Sequence, residues 1–167
     1  KNGFKYSDNS SLEAWDELME AFQYYLLRAS CDIAKERGSP IPGWNDTKYS
    51  KGIFPVDTYK KEVDQLVEFT PKMDWDSLKA DVAQYGLYNS MLSSAMPAET
   101  SAQISNATNG IEPPRSYISI KGSGEGRLKQ VVPGFPKLKG KYELLWDMKS
   151  CQGYLNIVAI MQRYFDQ

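Results

Sequence analysis

The chain has 167 residues, with 20 Lys plus Arg against 21 Asp plus Glu and no histidine at all. That length suits one domain or a compact piece of a larger one, enough to bury roughly 70% of the unfolded surface. A formal charge of -1 gives no global field for nucleic acid or an acidic membrane. Without histidine the chain holds no Ser-His-Asp triad, no histidine proton shuttle and no His-ligated zinc.

Eleven Tyr, six Phe and four Trp supply aromatic mass that disordered chains lack, so a packed core is expected. No apolar run approaches the roughly 20 residues of a membrane helix, and the start at Lys1–Tyr6 has no apolar leader. A cytoplasmic location is therefore expected. The first residue is Lys1 rather than Met, which reads as a cut, processed or partial product. Cys31 and Cys151 lie far apart, and two free thiols are favoured over one disulfide. Asn9, Asn45 and Asn106 sit in Asn-x-Ser/Thr patterns, which occur by chance and carry no weight without a secretory signal.

In chain order, Ser10-Ser11-Leu12-Glu13 reads as a capping box opening a helix. Leu12, Trp15, Met19, Phe22, Leu26, Ala29 and Ile33 recur at spacings of three and four, predicting one inward apolar stripe. Lys35-Glu36-Arg37-Gly38, with Pro40 beyond, predicts the stop. From Ser39 to Val56 prolines and glycines break the chain, leaving at most a short helix over Asp46–Ser50. Tyr59, Val63, Leu66 and Val67 predict a second helix from near Asp57. A third follows from Asp74, with Trp75, Leu78 and Val82 inward and Gly86 as its end.

Ser90–Met96 is short, weakly alternating and rich in small side chains, and predicts a buried strand. Pro97–Gln103 then predicts a helix start, since proline is tolerated in a first turn whose N–H groups have no intrahelical partner. Tyr117–Lys121, Gly122–Gly126 and Arg127–Val132 predict a β-hairpin. The closing segment around Tyr154, Leu155, Ile157, Val158, Ile160, Met161 and Tyr164 predicts a helix buried on more than one side and running to Gln167. The fold class expected is α/β with helices in the majority, in a single partial domain over residues 1–167.

For chemistry, the junction Met96-Pro97-Ala98-Glu99-Thr100-Ser101 is the best candidate. First-turn N–H groups and the helix dipole favour an anion, and the small side chains leave those donors reachable. From the residues alone, a plain capped helix with Thr100 and Ser101 in solvent is the stronger reading. Gly122–Gly126 lacks the Lys-Ser/Thr ending of a phosphate loop and carries Glu125, so a hairpin turn is favoured. Glu62, Asp64 and Glu68, like Asp74 and Asp76, read as solvated helix faces and caps rather than a metal site. Cys31 reads as packing and Cys151 as a thiol with no activating partner.

The run from Met96 through Pro97-Ala98-Glu99-Thr100-Ser101-Ala102-Gln103-Ile104-Ser105-Asn106-Ala107-Thr108-Asn109-Gly110 to Arg115 closely resembles the large (alpha) subunit of class I ribonucleoside-diphosphate reductases of bacterial and phage type. Gln23–Leu27, Lys51–Lys61, Gln130–Pro133 and Tyr142–Trp146 resemble further segments of that family in family order, so the likeness covers essentially the whole chain. The resemblance implies the later part of a ten-stranded α/β barrel. It also implies that Pro97, Ala98, Glu99, Thr100 and Ser101 hold the substrate diphosphate, largely through backbone N–H groups. Many relatives have serine where Ala98 stands, a change that spares a backbone donor and removes a hydroxyl.

It further implies that the radical and redox cysteines lie outside these residues, so this chain supplies no catalytic residue, cofactor or metal ligand of its own and is expected to be inactive in isolation. The expected partners are the remainder of the large subunit, a radical-generating metal-containing small subunit, a thioredoxin- or glutaredoxin-type reductant and a ribonucleoside diphosphate, with no nucleic acid and no membrane. Two other readings stand beside this one: a non-catalytic helical interaction module built on the same scaffold, and a general phosphate-binding domain.

Overall fold

The computed structural model describes residues 3–123 and 126–166. Its elements in order are α1 (Ser10–Arg37), α2 (Pro55–Thr58), α3 (Trp75–Tyr85), α4 (Glu99–Ile104), β1 (Ile118–Ser123), β2 (Gly126–Val131) and α5 (Gln152–Met161), with 3-10 turns between α1 and α2, α2 and α3, and β2 and α5. The chain divides into two compact units, residues 1–11 with 96–157, and residues 12–95 with 158–167. Among the described residues no helix is long and apolar enough to cross a membrane. Cys31 and Cys151 are both free thiols, the first buried and the second exposed. Burial pushes the Cys31 thiol above its ordinary value.

Helix α1 starts and stops where expected. The opening cap differs: the Asp8 carboxylate accepts from the Ser10 N–H at 3.0 Å, with Ser10 already inside the helix. At the far end Gly38 takes φ 69, its N–H reaching the Lys35 carbonyl while the Ser39 N–H reaches that of Ala34. This is a Schellman closure, which needs the left-handed residue that glycine supplies.

The predicted stripe is corrected. Leu12 and Met19 are buried, but Phe22 and Ile33 are exposed. The face that turns inward runs through Leu12, Asp16, Met19, Glu20, Gln23, Leu27, Ser30, Cys31 and Ala34. Four of these are polar, so periodicity of apolar residues alone selects the wrong side of the helix.

The helix expected from Asp57 through Val67 is broken. Pro55 opens α2, whose Asp57 carboxylate accepts from the Phe54 N–H at 3.0 Å. Tyr59 then turns extended at ψ 160, and only a 3-10 turn, Lys61–Gln65, follows. The short helix expected at Asp46–Ser50 is likewise two 3-10 turns, Trp44–Asp46 and Tyr49–Lys51. The third helix matches: Asp74 caps α3 by accepting from the Ser77 N–H at 3.0 Å, and Trp75, Leu78 and Val82 are buried. It stops at Gly86, φ 75, where a Cβ would lie 2.5 Å from Pro40.

Ser90–Met96 forms no strand, and of its residues only Ser93 is buried. A strand is defined by ladder partners, and the one sheet among the described residues is β1 with β2. The last helix also ends early. After Met161 the chain tightens into a turn, with the Arg163 N–H on the Ile160 carbonyl and the Tyr164 N–H on that of Met161. Leu155 remains exposed, while Ile157, Ile160, Met161 and Tyr164 are buried. Gln167 lies outside the described residues.

In the first unit the hairpin is antiparallel, with Ile118 opposite Val131 and Gly122 opposite Arg127. Of the turn expected over Gly122–Gly126, Gly122, Ser123 and Gly126 instead belong to the paired strands, because the ladder continues to Ser123 opposite Gly126, and Gly124 and Glu125 lie outside the described residues.

Candidate functional site

In the first unit α4 begins at Glu99, two residues after Pro97. Pro97, Ala98, Thr100 and Ser101 are all exposed, and Ala102 is buried behind them; the Glu99 side chain lies outside the described residues. The Ala98 N–H donates to the Asn109 carbonyl at 2.9 Å, and the Ala98 carbonyl accepts from Ala102 at 2.8 Å. The Ala98 donor is thus engaged within the chain. The N–H groups of Glu99, Thr100 and Ser101 are those of a first helical turn, which has no carbonyl one turn earlier to bind.

The return of the chain beneath this start is also fixed by backbone. The Ala107 N–H reaches the Ala102 carbonyl at 2.8 Å, and Asn106 adopts a left-handed φ of 51, a conformation asparagine tolerates better than most residues. The Ser105 hydroxyl donates to the Ser101 carbonyl at 2.9 Å. Further along, the Tyr6 hydroxyl donates to the Ile111 carbonyl at 2.7 Å, and the Ser7 N–H to Glu143 Oε2 at 2.9 Å. Burial, then the neighbouring Tyr154, Glu112 and Glu143, push Tyr6 up to about 12. The backbone comes so close here that a Cβ on Gly153 would lie 1.9 Å from the Tyr6 carbonyl oxygen. Pro97, Ala98, Thr100 and Ser101 therefore lie exposed at one backbone-held helix start, with the Thr100 and Ser101 hydroxyl side chains outward.

The second unit holds a different kind of constellation, which the sequence reading did not single out. Arg163 is fully buried and donates to Asp16 Oδ1 at 2.5 Å, to Asp64 Oδ1 at 3.0 Å and to the Val67 carbonyl at 2.9 Å. Its guanidinium also lies over the Tyr59 ring at 4.8 Å. Asp64 is therefore an ion-pair partner rather than part of a solvated face. Burial raises the Asp16 carboxyl above its ordinary value, against the opposing pull of the Tyr164 hydroxyl and the guanidinium. One turn along, Glu20 accepts from the Lys72 and Met73 N–H groups and from Trp75 Nε1 at 2.9 Å.

A third carboxylate, Asp166, accepts from the Leu92 and Ser93 N–H groups at 2.8 and 2.9 Å, from Gln23 Nε2 and from the Tyr49 hydroxyl. It borders a cavity of about 420 Å³ lined also by Thr47, Tyr49, Phe54, Thr58 and Met91. With its oxygens already on these donors, Asp166 ties the cavity wall together. A faint signal for this whole network was present in the spacing of Asp16, Glu20 and Gln23, four and three residues apart and in phase with Leu12 and Leu27.

Compared with known proteins, residues 1–167 match the family model described as ribonucleotide reductase, barrel domain. The chain is 54% identical over all its 167 residues to the ribonucleoside-diphosphate reductase subunit alpha of Haemophilus influenzae. It is 52% identical over its whole length to subunit alpha of ribonucleoside-diphosphate reductase 1 of Escherichia coli K12, and 41% identical over 99% of its length to the subunit alpha of phage T4. In each case the match covers 22% of the relative, so the chain spans about a fifth of their length.

Proposed function

The chain belongs to the ribonucleotide reductase barrel-domain family, and from that premise we propose that it supplies barrel wall and the substrate-diphosphate loop of a ribonucleoside-diphosphate reductase large subunit. The observation that carries this reading is the family match over residues 1–167, joined to a helix start at which Pro97, Ala98, Thr100 and Ser101 are exposed. The first-turn N–H groups of Glu99, Thr100 and Ser101 and the Thr100 and Ser101 hydroxyls are the donors offered to the diphosphate, in the electropositive field of a helix N-terminus. Pro97 and Ala98 set the entry of the chain, with the Ala98 N–H held on Asn109.

On this reading these residues bind and orient the substrate and do not perform the reduction. The radical-bearing and reducing cysteines come from parts of the large subunit outside this segment, and the radical from a separate metal-containing small subunit. A thioredoxin- or glutaredoxin-type protein restores the dithiol. The setting is cytoplasmic, and the isolated chain turns nothing over.

The test is a titration with a ribonucleoside diphosphate, using the complete subunit that carries this segment. Thr100→Glu with Ser101→Glu places carboxylates where the diphosphate sits and raises Kd by about tenfold or more, equivalent to about 1.4 kcal/mol. Unchanged affinity in that variant rejects the phosphate role. Binding of inorganic phosphate as tightly as the nucleotide would favour a general phosphate site instead.

A further inference from the structure

Helix α1 is apolar on two opposite sides. Its inward face runs through Leu12, Met19, Leu27 and Ala34, while Leu18, Phe22, Tyr25 and Ile33 remain 57, 48, 61 and 38% exposed on the other. With exposed Ala29, these residues follow spacings of four, three, four and four, one continuous stripe along about four turns. A stripe of that length and regularity is the signature of a helix seated against another helix. Scattered exposed apolar residues need no explanation, but a contiguous row of two aromatic and two aliphatic side chains does.

Charge along the helix narrows what covers it. The cations of α1 are engaged within their own unit: Arg28 and Lys35 on Asp81, and Arg37 over the Tyr88 ring at 4.5 Å. Asp32 and Glu36 lie in line with the C-terminal end of the stripe, are exposed, and form no ion pair with a described residue. A second copy of this chain fits poorly. A parallel pair would set Asp32 and Glu36 against their own copies, and an antiparallel pair would set them against Leu18 and Ala14.

We infer that the outer face of α1 is a docking surface for an amphipathic helix from the rest of the large-subunit polypeptide, with Lys or Arg at the end that meets Asp32 and Glu36. This rests on the family reading above and on the relatives' length, most of which lies outside the matched segment. The aromatic side chains Phe22 and Tyr25 form the centre of the contact, and the acidic end sets its direction.

The experiment uses a complete large subunit: the Haemophilus influenzae alpha chain with its matching segment replaced by these 167 residues. Hydroxyl-radical labelling of Phe22 and Tyr25 is expected to run several-fold slower there than their exposure in this structure dictates. Labelling at the rate of solvent-exposed rings overturns the proposal, and needs no variant. Phe22→Glu with Tyr25→Glu is expected to restore fast labelling at Leu18 and to lower the unfolding temperature, whereas Phe22→Leu with Tyr25→Leu does neither. An unchanged unfolding temperature in the charged variant also overturns it. A disulfide between two copies of Phe22→Cys would assign the face to self-association and reject it. Slow labelling without ribonucleoside diphosphate binding would keep the docking face and reject the phosphate loop; fast labelling with intact binding would do the reverse.

Discussion

The inward face of α1 and the start of α4 use polar groups in opposite ways. Along α1, Asp16, Glu20 and Gln23 are buried and reach partners from 26 to 148 positions away. At α4 the side chains of Thr100 and Ser101 stand in solvent, and the geometry is set by short-range backbone bonds such as Ala98 to Asn109. The first arrangement fixes one packing, because a buried charge that loses its partner is costly. The second leaves donors open, which suits a place where a ligand arrives. Substitutions should separate the two regions by their effect on stability.

The largest expected effect is at Arg163. Arg163→Met leaves Asp16 buried without its cation and should cost about 3–5 kcal/mol in denaturant unfolding. The Asp16 carboxyl already titrates above its ordinary value, so its protonated form is the one the fold accepts more readily. The variant's deficit should therefore shrink as the pH falls through that raised value; a deficit that grows in acid would contradict the assignment.

Next is Glu20→Ala, which strips the acceptor from two N–H groups and the Trp75 indole and should cost about 2–4 kcal/mol. A loss below about 0.5 kcal/mol, the scale of an ordinary surface substitution, would show that water replaces the carboxylate. In the first unit Gly153→Ala forces a methyl into the Tyr6 carbonyl and should cost about 1–3 kcal/mol by shifting backbone, read as a lower unfolding midpoint.

A pH-dependent effect is expected at Asp81. Arg28 and Lys35 hold this carboxyl below its ordinary 3.8. Its stabilising contribution is full above that value and lost as the pH falls through the lowered one. Asp81→Asn should therefore differ from the parent at pH 7 and converge with it in strong acid. Smallest of all, Thr100→Ala should leave the unfolding midpoint within about 0.5 kcal/mol of the parent, because its side chain is exposed. A larger loss there would erase the contrast between the two regions.

Local signals were legible where the structure is decided locally. Gly38 and Gly86 end α1 and α3 as their sequence context predicts, and the glycines between Tyr117 and Val132 mark the hairpin. What was not legible depends on distant partners. Nothing near Asp16 announces Arg163, so apolar spacing alone turns α1 toward Phe22 and Ile33, which both lie in solvent. Ser90–Met96 has strand-like composition, yet strand is a property of a ladder, and among the described residues the one ladder joins β1 to β2. At Tyr59, packing of the ring against Phe69 and the Arg163 guanidinium overrides the helical periodicity of the flanking residues. The helix start at Pro97–Ser101 was legible because it is contiguous, while its phosphate role rests on the resemblance and is a proposal.

The bonds from Arg163 to Asp16 and from Asp166 to Ser93 also impose an order in time. During synthesis α1 is complete long before residue 163 exists, and its buried carboxylate waits 147 residues for a cation. At about 5–20 residues per second, that wait lasts roughly 7–30 seconds. Through it, the Asp16 carboxylate on the inward face of α1 has no cation, and Leu92 and Ser93, once made, have no acceptor until Asp166 follows. Premature collapse onto that face would bury naked charge, so the chain has reason to stay open until its later residues arrive. The same carboxylates that lock the finished unit act earlier as a deterrent to closing it too soon.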